Sequence, residues 1–274
     1  MYREMLAEIV KYRGLLGMLA WRDIRVRYKQ SVMGFAWAFL MPLIQAVVLW
    51  AIFTYGMRGM TEGMIANMSR DMPYFLFVLS GMIPWTFVAS SINFSVESLT
   101  RNSRLVTKIY FPREVFPLGS VTASLVDFGV AMLVFVPFYV YHAATGHVQV
   151  GWALLFFPVI VLIQVLFVSG LALILSMANL FFRDVKYVTT FVLQLWFFAT
   201  NVMYPIRFEN YPSLQWIPSA NPMIPILDAY RDVIAGHWLS NPVGLMTSTA
   251  IALAVFLLGW RAFHKAEFKF AEYV

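Results

Sequence analysis

The stretch Leu19–Pro42, LAWRDIRVRYKQSVMGFAWAFLMP, passes from a dense cationic run into an apolar run long enough to enter a lipid bilayer. Arg22, Arg25, Arg27 and Lys29 come just before Met33, and the chain then carries no charge until Arg58. Cationic side chains are costly in hydrocarbon and favourable beside anionic headgroups, so this junction fixes an insertion point and an orientation. It predicts a cytoplasmic amino terminus.

Composition agrees. Of 274 residues, 61% are hydrophobic and 12% charged, and the mean hydropathy is +0.71. A soluble core cannot hide that much apolar surface beneath so few charges, so the chain reads as an integral membrane protein. The formal net charge of +6 raises nucleic acid as a partner. However, the basic residues fall between apolar segments, beside membrane ends, and make no basic face on a soluble domain. With no cysteine, disulfides, thiolate metal sites and a cysteine nucleophile are excluded, and His142, His147, His237 and His264 show no ligand spacing. The first apolar run begins too late, and is too long, for a cleavable signal peptide.

A span needs roughly 20 apolar residues to cross about 30 Å of hydrocarbon. Six segments qualify, at about 33–56, 73–95, 115–141, 151–181, 187–206 and 243–262. The expected fold is an all-α membrane protein with six transmembrane helices in one domain over 1–274 and both termini cytoplasmic. The segments then placed inside are 1–32, 96–114, 182–186 and 263–274, and together with Arg261 they hold 16 of the 20 basic residues. Arg58, Arg70, Arg207 and Arg231 lie outside. This bias is the positive-inside rule.

Residues 2–31 are expected to form an amphipathic helix along the cytoplasmic surface. Met5, Ile9, Tyr12, Leu16, Leu19 and Ile24 supply its apolar face, and Arg3, Glu8, Lys11 and Arg25 its polar face. The outer segment 207–242 is long and punctuated by prolines. Within it Ile224–Ala235 predicts a short helix at the outer surface, too short to cross.

The sequence contains no phosphate-cradling G-x-x-x-x-G-K-[ST] loop, so it binds no ATP by itself. Asp127 is the one acidic residue well inside an expected span. That is thin material for an ion relay, and an interhelical hydrogen bond is the simpler role. No metal site and no nucleophile–base–acid set stands out. The inner loop 96–114 carries Arg101, Arg104, Lys108 and Arg113. It reads either as an ordinary basic loop or as a helix docking into a cytoplasmic partner through Leu105, Val106 and Ile109. Phe35, Phe39, Trp50 and Phe53 share one face of the first span; Phe191, Gln194, Phe198 and Asn201 share one face of the fifth. Ring faces can pack on sugars and amides can bond hydroxyls; helix packing or lipid contact is the better account of the purely aromatic stripe, and the polar–aromatic one is the better evidence of a lining.

Three groups of residues carry a resemblance to a known family. The first is Arg22-Asp23-Ile24-Arg25-Val26-Arg27-Tyr28-Lys29-Gln30-Ser31 followed by Gly34-Phe35-Ala36-Trp37. The second is Gly81-Met82-Ile83-Pro84-Trp85, then Leu105 to Glu114, LVTKIYFPRE. The third is Asn179-Leu180-Phe181-Phe182-Arg183-Asp184-Val185, with Tyr204-Pro205 and Asn221-Pro222. In their order over about 19–240 they resemble the permease subunit of bacterial ATP-binding-cassette exporters of polysaccharides and polyol phosphates (O-antigen, capsule, teichoic acid). One departure is Asn201, where that family often has a proline before the Tyr-Pro pair.

The resemblance implies a homodimer in the bacterial cytoplasmic (inner) membrane, with two copies of a separate ATPase that binds ATP and Mg. It implies export of a lipid-linked glycan through a pore lined by the first and fifth spans. It places an ATPase-coupling helix at about Ser98–Lys108, thus at Ser98, Arg101, Asn102, Arg104, Leu105, Val106 and Lys108. The surface helix with Arg22, Asp23, Arg25, Arg27, Tyr28 and Lys29 also abuts the ATPase, and short gate helices stand between spans five and six. The chain itself is then non-catalytic and holds no cofactor or metal. Rival readings are the same architecture exporting a drug or another lipid, a membrane-embedded glycan ligase or acyltransferase, and an ion-driven transporter.

Overall fold

The apolar runs of the sequence become helices, and so do the cationic runs at 13–28 and 98–108. The computed structural model describes residues 11–29, 33–34, 36–56, 72–108, 112–204 and 220–270, with Phe39, Val106, Thr107 and Lys108 described by backbone alone. Helix α1 spans Arg13–Tyr28, α2 Ala36–Ala51, α3 Tyr74–Val96, α4 Ser98–Arg101 and α5 Ser103–Lys108. Then come α6 at Val115–Ala144, α7 at Phe157–Phe181, α8 at Val185–Phe198, α9 at Met223–Ile234 and α10 at Pro242–Ala266. A π-helical turn, Ile52–Gly56, continues α2; 3-10 turns at Trp152–Phe156 and Glu267–Lys269 precede α7 and follow α10. No strand occurs among the described residues.

Among the described residues, five helices are long and apolar enough to cross a membrane: Ala36–Tyr55, α3, α6, Trp152–Phe181 and Pro242–Lys269. They coincide with the first four expected spans and the sixth. The fifth, expected over 187–206, is shorter. Helix α8 has 14 residues, about 21 Å at 1.5 Å per residue, against about 30 Å of hydrocarbon. It stops because local bonds divert the chain: the Thr200 hydroxyl donates to the Trp196 carbonyl at 2.7 Å, and the Val202 amide turns back to the Thr200 carbonyl at 2.7 Å.

Helix α3 is the hub, touching α2, α6, α7, α8 and α9. Leu76, Val78, Ser80, Val88 and Ser91 are fully hidden on its successive faces. Small side chains let neighbours approach, and polar ties hold them there. Gln164 of α7 donates to the Pro84 carbonyl at 2.9 Å and accepts from the Tyr230 hydroxyl of α9 at 2.8 Å. Near the other end of α7, Asn179 donates to the Val96 carbonyl at 3.0 Å and accepts from the Lys186 amide at 3.2 Å. Ser95 donates to the Pro117 carbonyl of α6 at 3.1 Å.

These contacts give the bundle two ends. At one lie the end of α3, the start of α6, the α7–α8 joint and the end of α10, linked by the Asn179 bonds and by Glu114–His264. At the other, Phe53 packs on Tyr74, Phe75 on Phe138 and Phe157 on Tyr230. The first four long helices therefore alternate in direction, and α10 runs parallel to α7, both finishing at the first of these ends. Arg101, Arg104, Arg113, Arg183, Lys186, Lys265 and Lys269 all belong to the first end, the cationic one.

The helix expected over Ile224–Ala235 exists as α9 and is sunk into the bundle. Met223, Ile226, Leu227 and Tyr230 are 0% exposed, because α9 is set among α3, α7, α10 and the Trp152–Phe156 turn. Helix α1 buries Leu19 and Ile24 as expected, with residues 2–10 and 30–31 outside the described residues. It is not cleanly two-faced, however: Ala20 and Arg27 also face inward, while Met18, Trp21 and Val26 are exposed. It rises along α6, with Leu16 and Leu19 beside Gly119, Asp23 beside Ser120 and Arg27 beside Ser124 and Asp127.

The α7–α10 crossing depends on glycine. A Cβ built on Gly170 stands 2.6 Å from the Phe256 amide nitrogen, and one on Gly259 stands 2.7 Å from the Gly170 carbonyl oxygen. Gly170→Ala is expected to cost about 1–3 kcal/mol through forced separation of the two backbones. Gly129→Ala, which meets nothing within 4 Å, is expected to leave stability unchanged or slightly raised. Thermal unfolding of the two variants in detergent checks the contrast.

Candidate functional site

At the cationic end, the loop after α3 folds into two short helices instead of the single one expected over Ser98–Lys108. Asn102 makes the break, its side-chain amide donating to the Ser98 carbonyl at 2.7 Å and closing α4. Ser98 and Leu99 are buried, so α4 is anchored on α6 and α7. Arg101 is exposed and pairs with Glu97. Arg104 is exposed, whereas Leu105 is half-buried and packs on the Leu99–Val115–Phe263 apolar cluster. Leu105 thus braces α5 against its own bundle. Ile109 lies outside the described residues, and the side chains of Val106 and Lys108 are not described.

Beside α4 and α5 opens a cleft of about 360 Å³ lined by Glu97, Thr100, Ser103, Asn179, Arg183 and Lys186. Lys186 stands 3.6 Å from Glu97, so the cleft joins the two expected inner loops, 96–114 and 182–186, in one polar surface. Its side chains can receive both an anionic and a cationic group, an arrangement suited to protein contact.

Arg27, expected as a surface charge, is buried instead. It donates to Asp127 at 2.6 Å, to the Ser124 hydroxyl at 3.2 Å and to the Ser120 carbonyl at 3.4 Å. Its guanidinium also lies 3.6 Å from the centre of the Phe94 ring. The Tyr28 hydroxyl donates to the other Asp127 oxygen at 3.0 Å. Burial, then the Asp127 charge, push the Tyr28 phenol above its usual range, so it stays a donor. Asp127 is therefore a helix-to-helix tie. Arg22 and Asp23 pair on the half-buried side of α1, and Arg25 stacks on Trp21 at 5.2 Å, on the exposed side with Lys29.

The aromatic stripes divide. Phe35 lies outside the described residues, and the side chain of Phe39 is not described. Trp50 and Phe53 turn inward onto Phe75 and Tyr74, at centroid distances of 6.4 and 5.6 Å, so they pack the bundle. On α8, Phe191, Gln194 and Phe198 are exposed together with Tyr187 and Val188. Asn201 is not on that face. It is 2% exposed, because α8 has already ended; it donates to Asp228, and its carbonyl accepts from Arg231 at 2.6 Å.

Arg231 is the residue that sequence reading missed at this end. Its guanidinium also donates to the Val202 carbonyl at 3.1 Å and covers the Phe77 ring at 3.7 Å, tying α9 to α3 and to the turn after α8. Asn221 completes the fastening, accepting from the Trp196 indole at 3.0 Å and donating to the Ala199 carbonyl at 2.9 Å. At the cationic end, Glu114, His264 and Glu267 converge, a grouping invisible to local spacing because about 150 residues separate the first from the others.

A profile of the ABC-2 type transporter family matches residues 14–235. An O-antigen export system permease protein of Myxococcus xanthus is 31% identical over 270 residues, covering 98% of this chain and 98% of its own. One from Klebsiella pneumoniae is 31% identical over 264 residues, covering 94% of each. The polysialic acid transport protein of Escherichia coli is 23% identical over 260 residues, covering 90% of this chain and 91% of its own.

The Arg27–Asp127 pair can be tested on its own. Asp127→Ala leaves a buried guanidinium uncompensated and is expected to cost about 3–5 kcal/mol; the double variant Arg27→Met with Asp127→Leu is expected to cost less than that. Thermal unfolding of the double variant beside Arg27→Met alone and Asp127→Leu alone closes a double-mutant cycle and measures the coupling.

Proposed function

The chain belongs to the ABC-2 type transporter family, and on that premise we propose that it is the inner-membrane permease of an ATP-driven polysaccharide exporter. Full-length likeness to O-antigen and polysialic acid permeases carries this reading. The chain crosses the membrane six times, with α8 and the turn after it serving as the fifth crossing and both termini in the cytoplasm. Two copies assemble with two copies of a cytoplasmic ATPase, and the chain itself is non-catalytic. The Glu97–Lys186 cleft, with α4 and α5, takes up the ATPase. The exposed α8 face at Phe191, Gln194 and Phe198 lines the path of a lipid-linked glycan. A sliding chain needs weak contacts at many places, and rings with an amide supply them.

Gln194→Leu and Phe198→Ala are expected to slow export several-fold at unchanged membrane levels, because both side chains are exposed on α8. Immunoblots of membranes and of surface glycan measure the two quantities. Arg104→Glu is expected to leave assembly with the ATPase intact while hydrolysis no longer drives export. Co-purification of an ATPase, followed by hydrolysis assays with and without lipid-linked glycan, tests the proposal as a whole. Stimulation by glycan supports it, and stimulation by a drug or a plain lipid alone refutes the substrate.

A further inference from the structure

Glu114 precedes α6, and His264 and Glu267 close α10. The Glu114 side chain is 3% exposed, and its Oε2 is buried without a hydrogen-bond partner. Burying a carboxylate oxygen without a partner is costly, and a second carboxylate beside it adds repulsion. Arg113 only partly answers that charge. Its backbone amide donates to Glu267 Oε1 at 3.1 Å, and its guanidinium donates to the Glu267 carbonyl.

Glu114, His264 and Glu267 each turn one ligand atom toward the others, all within 4.8 Å of one another. His264 Nδ1 stands 3.3 Å from Glu114 Oε1 and 3.6 Å from Glu267 Oε2. These are long for charge-assisted hydrogen bonds, which run at about 2.7–2.9 Å. They match the edges of a tetrahedron whose centre lies about 2.0–2.2 Å from each ligand atom, edges of roughly 3.3–3.6 Å. One imidazole with two carboxylates is a ligand set for a divalent transition ion, and the Arg113 amide on the far oxygen of Glu267 orients that ligand. The His264 side chain is 33% exposed, which leaves a way in and a place for water as a fourth ligand.

We propose that Glu114, His264 and Glu267 bind one zinc ion, which clamps the end of α10 to the start of α6 beneath the α4–α5 loop. The ion replaces mutual repulsion with coordination at a point where Phe263, Phe270, Leu99 and Val115 pack together. The proposal stands apart from the transport reading.

Purified full-length protein, freed of its affinity tag, is stripped with a chelator, supplied with Zn²⁺ and desalted. Elemental analysis is expected to find about one zinc per chain, with Tm raised by several degrees. His264→Gln and Glu267→Gln are expected to lose both effects, while their metal-free Tm stays close to that of the metal-free parent. His142→Gln, at the opposite end, is expected to keep both. The proposal is overturned if the parent retains no stoichiometric zinc, or if His264→Gln retains as much.

Discussion

Hydrocarbon offers a polar group no partner, so each amide, hydroxyl or charge on an apolar helix must find one on a neighbouring helix. That constraint arranges this bundle around α3. Gln164 and Asn179 lie at two depths of α7 and bond to the Pro84 and Val96 carbonyls. Apolar packing alone would leave rotation and register loose, because lipid tails are as apolar as leucine. The two amides fix both. Tyr230 extends the first tie to α9, and the Lys186 amide extends the second to α8. The short and irregular elements are thereby attached to the same frame as the long ones.

The two buried arginines perform the corresponding task at opposite ends. Arg27 joins α1 to α6 and to Phe94 of α3. Arg231 joins α9 to Phe77 of α3 and to the carbonyls of Asn201 and Val202. One helix thus receives a cation on its ring faces at both ends. A displacement of α3 relative to either neighbour strains a desolvated guanidinium, whose alternatives are poor. The cleft beside α4 begins one residue after α3 ends, so force applied there meets a stiff member that reaches the opposite end. The α8 face at Phe191 and Phe198 lies outside this frame of ties.

Hydropathy and the placement of charge made most of the architecture legible. The five long helices fall where apolar runs of span length occur, and the helix at 224–235 was visible from its mixed pattern. What failed to show depended on distant partners. Asn201 follows Phe198 at helical spacing, but Thr200 and Arg231 draw the backbone away before the helix reaches it. For the purely aromatic stripe, helix packing or lipid contact is already the better reading of the sequence, and α3 is the neighbour that takes Trp50 and Phe53. Arg27 is one cation among several in a basic run; its burial follows from Asp127, 100 residues later. Glu114 and His264 meet for the same kind of reason, across 150 residues of chain.

The account turns on which side of the membrane holds the cationic end and its cleft. The chain has no cysteine, so single cysteines report position without background. In spheroplasts treated with a membrane-impermeant maleimide, Thr145→Cys and His237→Cys are predicted to be labelled at once. Asp184→Cys and Lys265→Cys are predicted to react only after the membrane is opened. Labelling of Cys at 184 or 265 in sealed spheroplasts would place the cleft away from ATP and contradict the account.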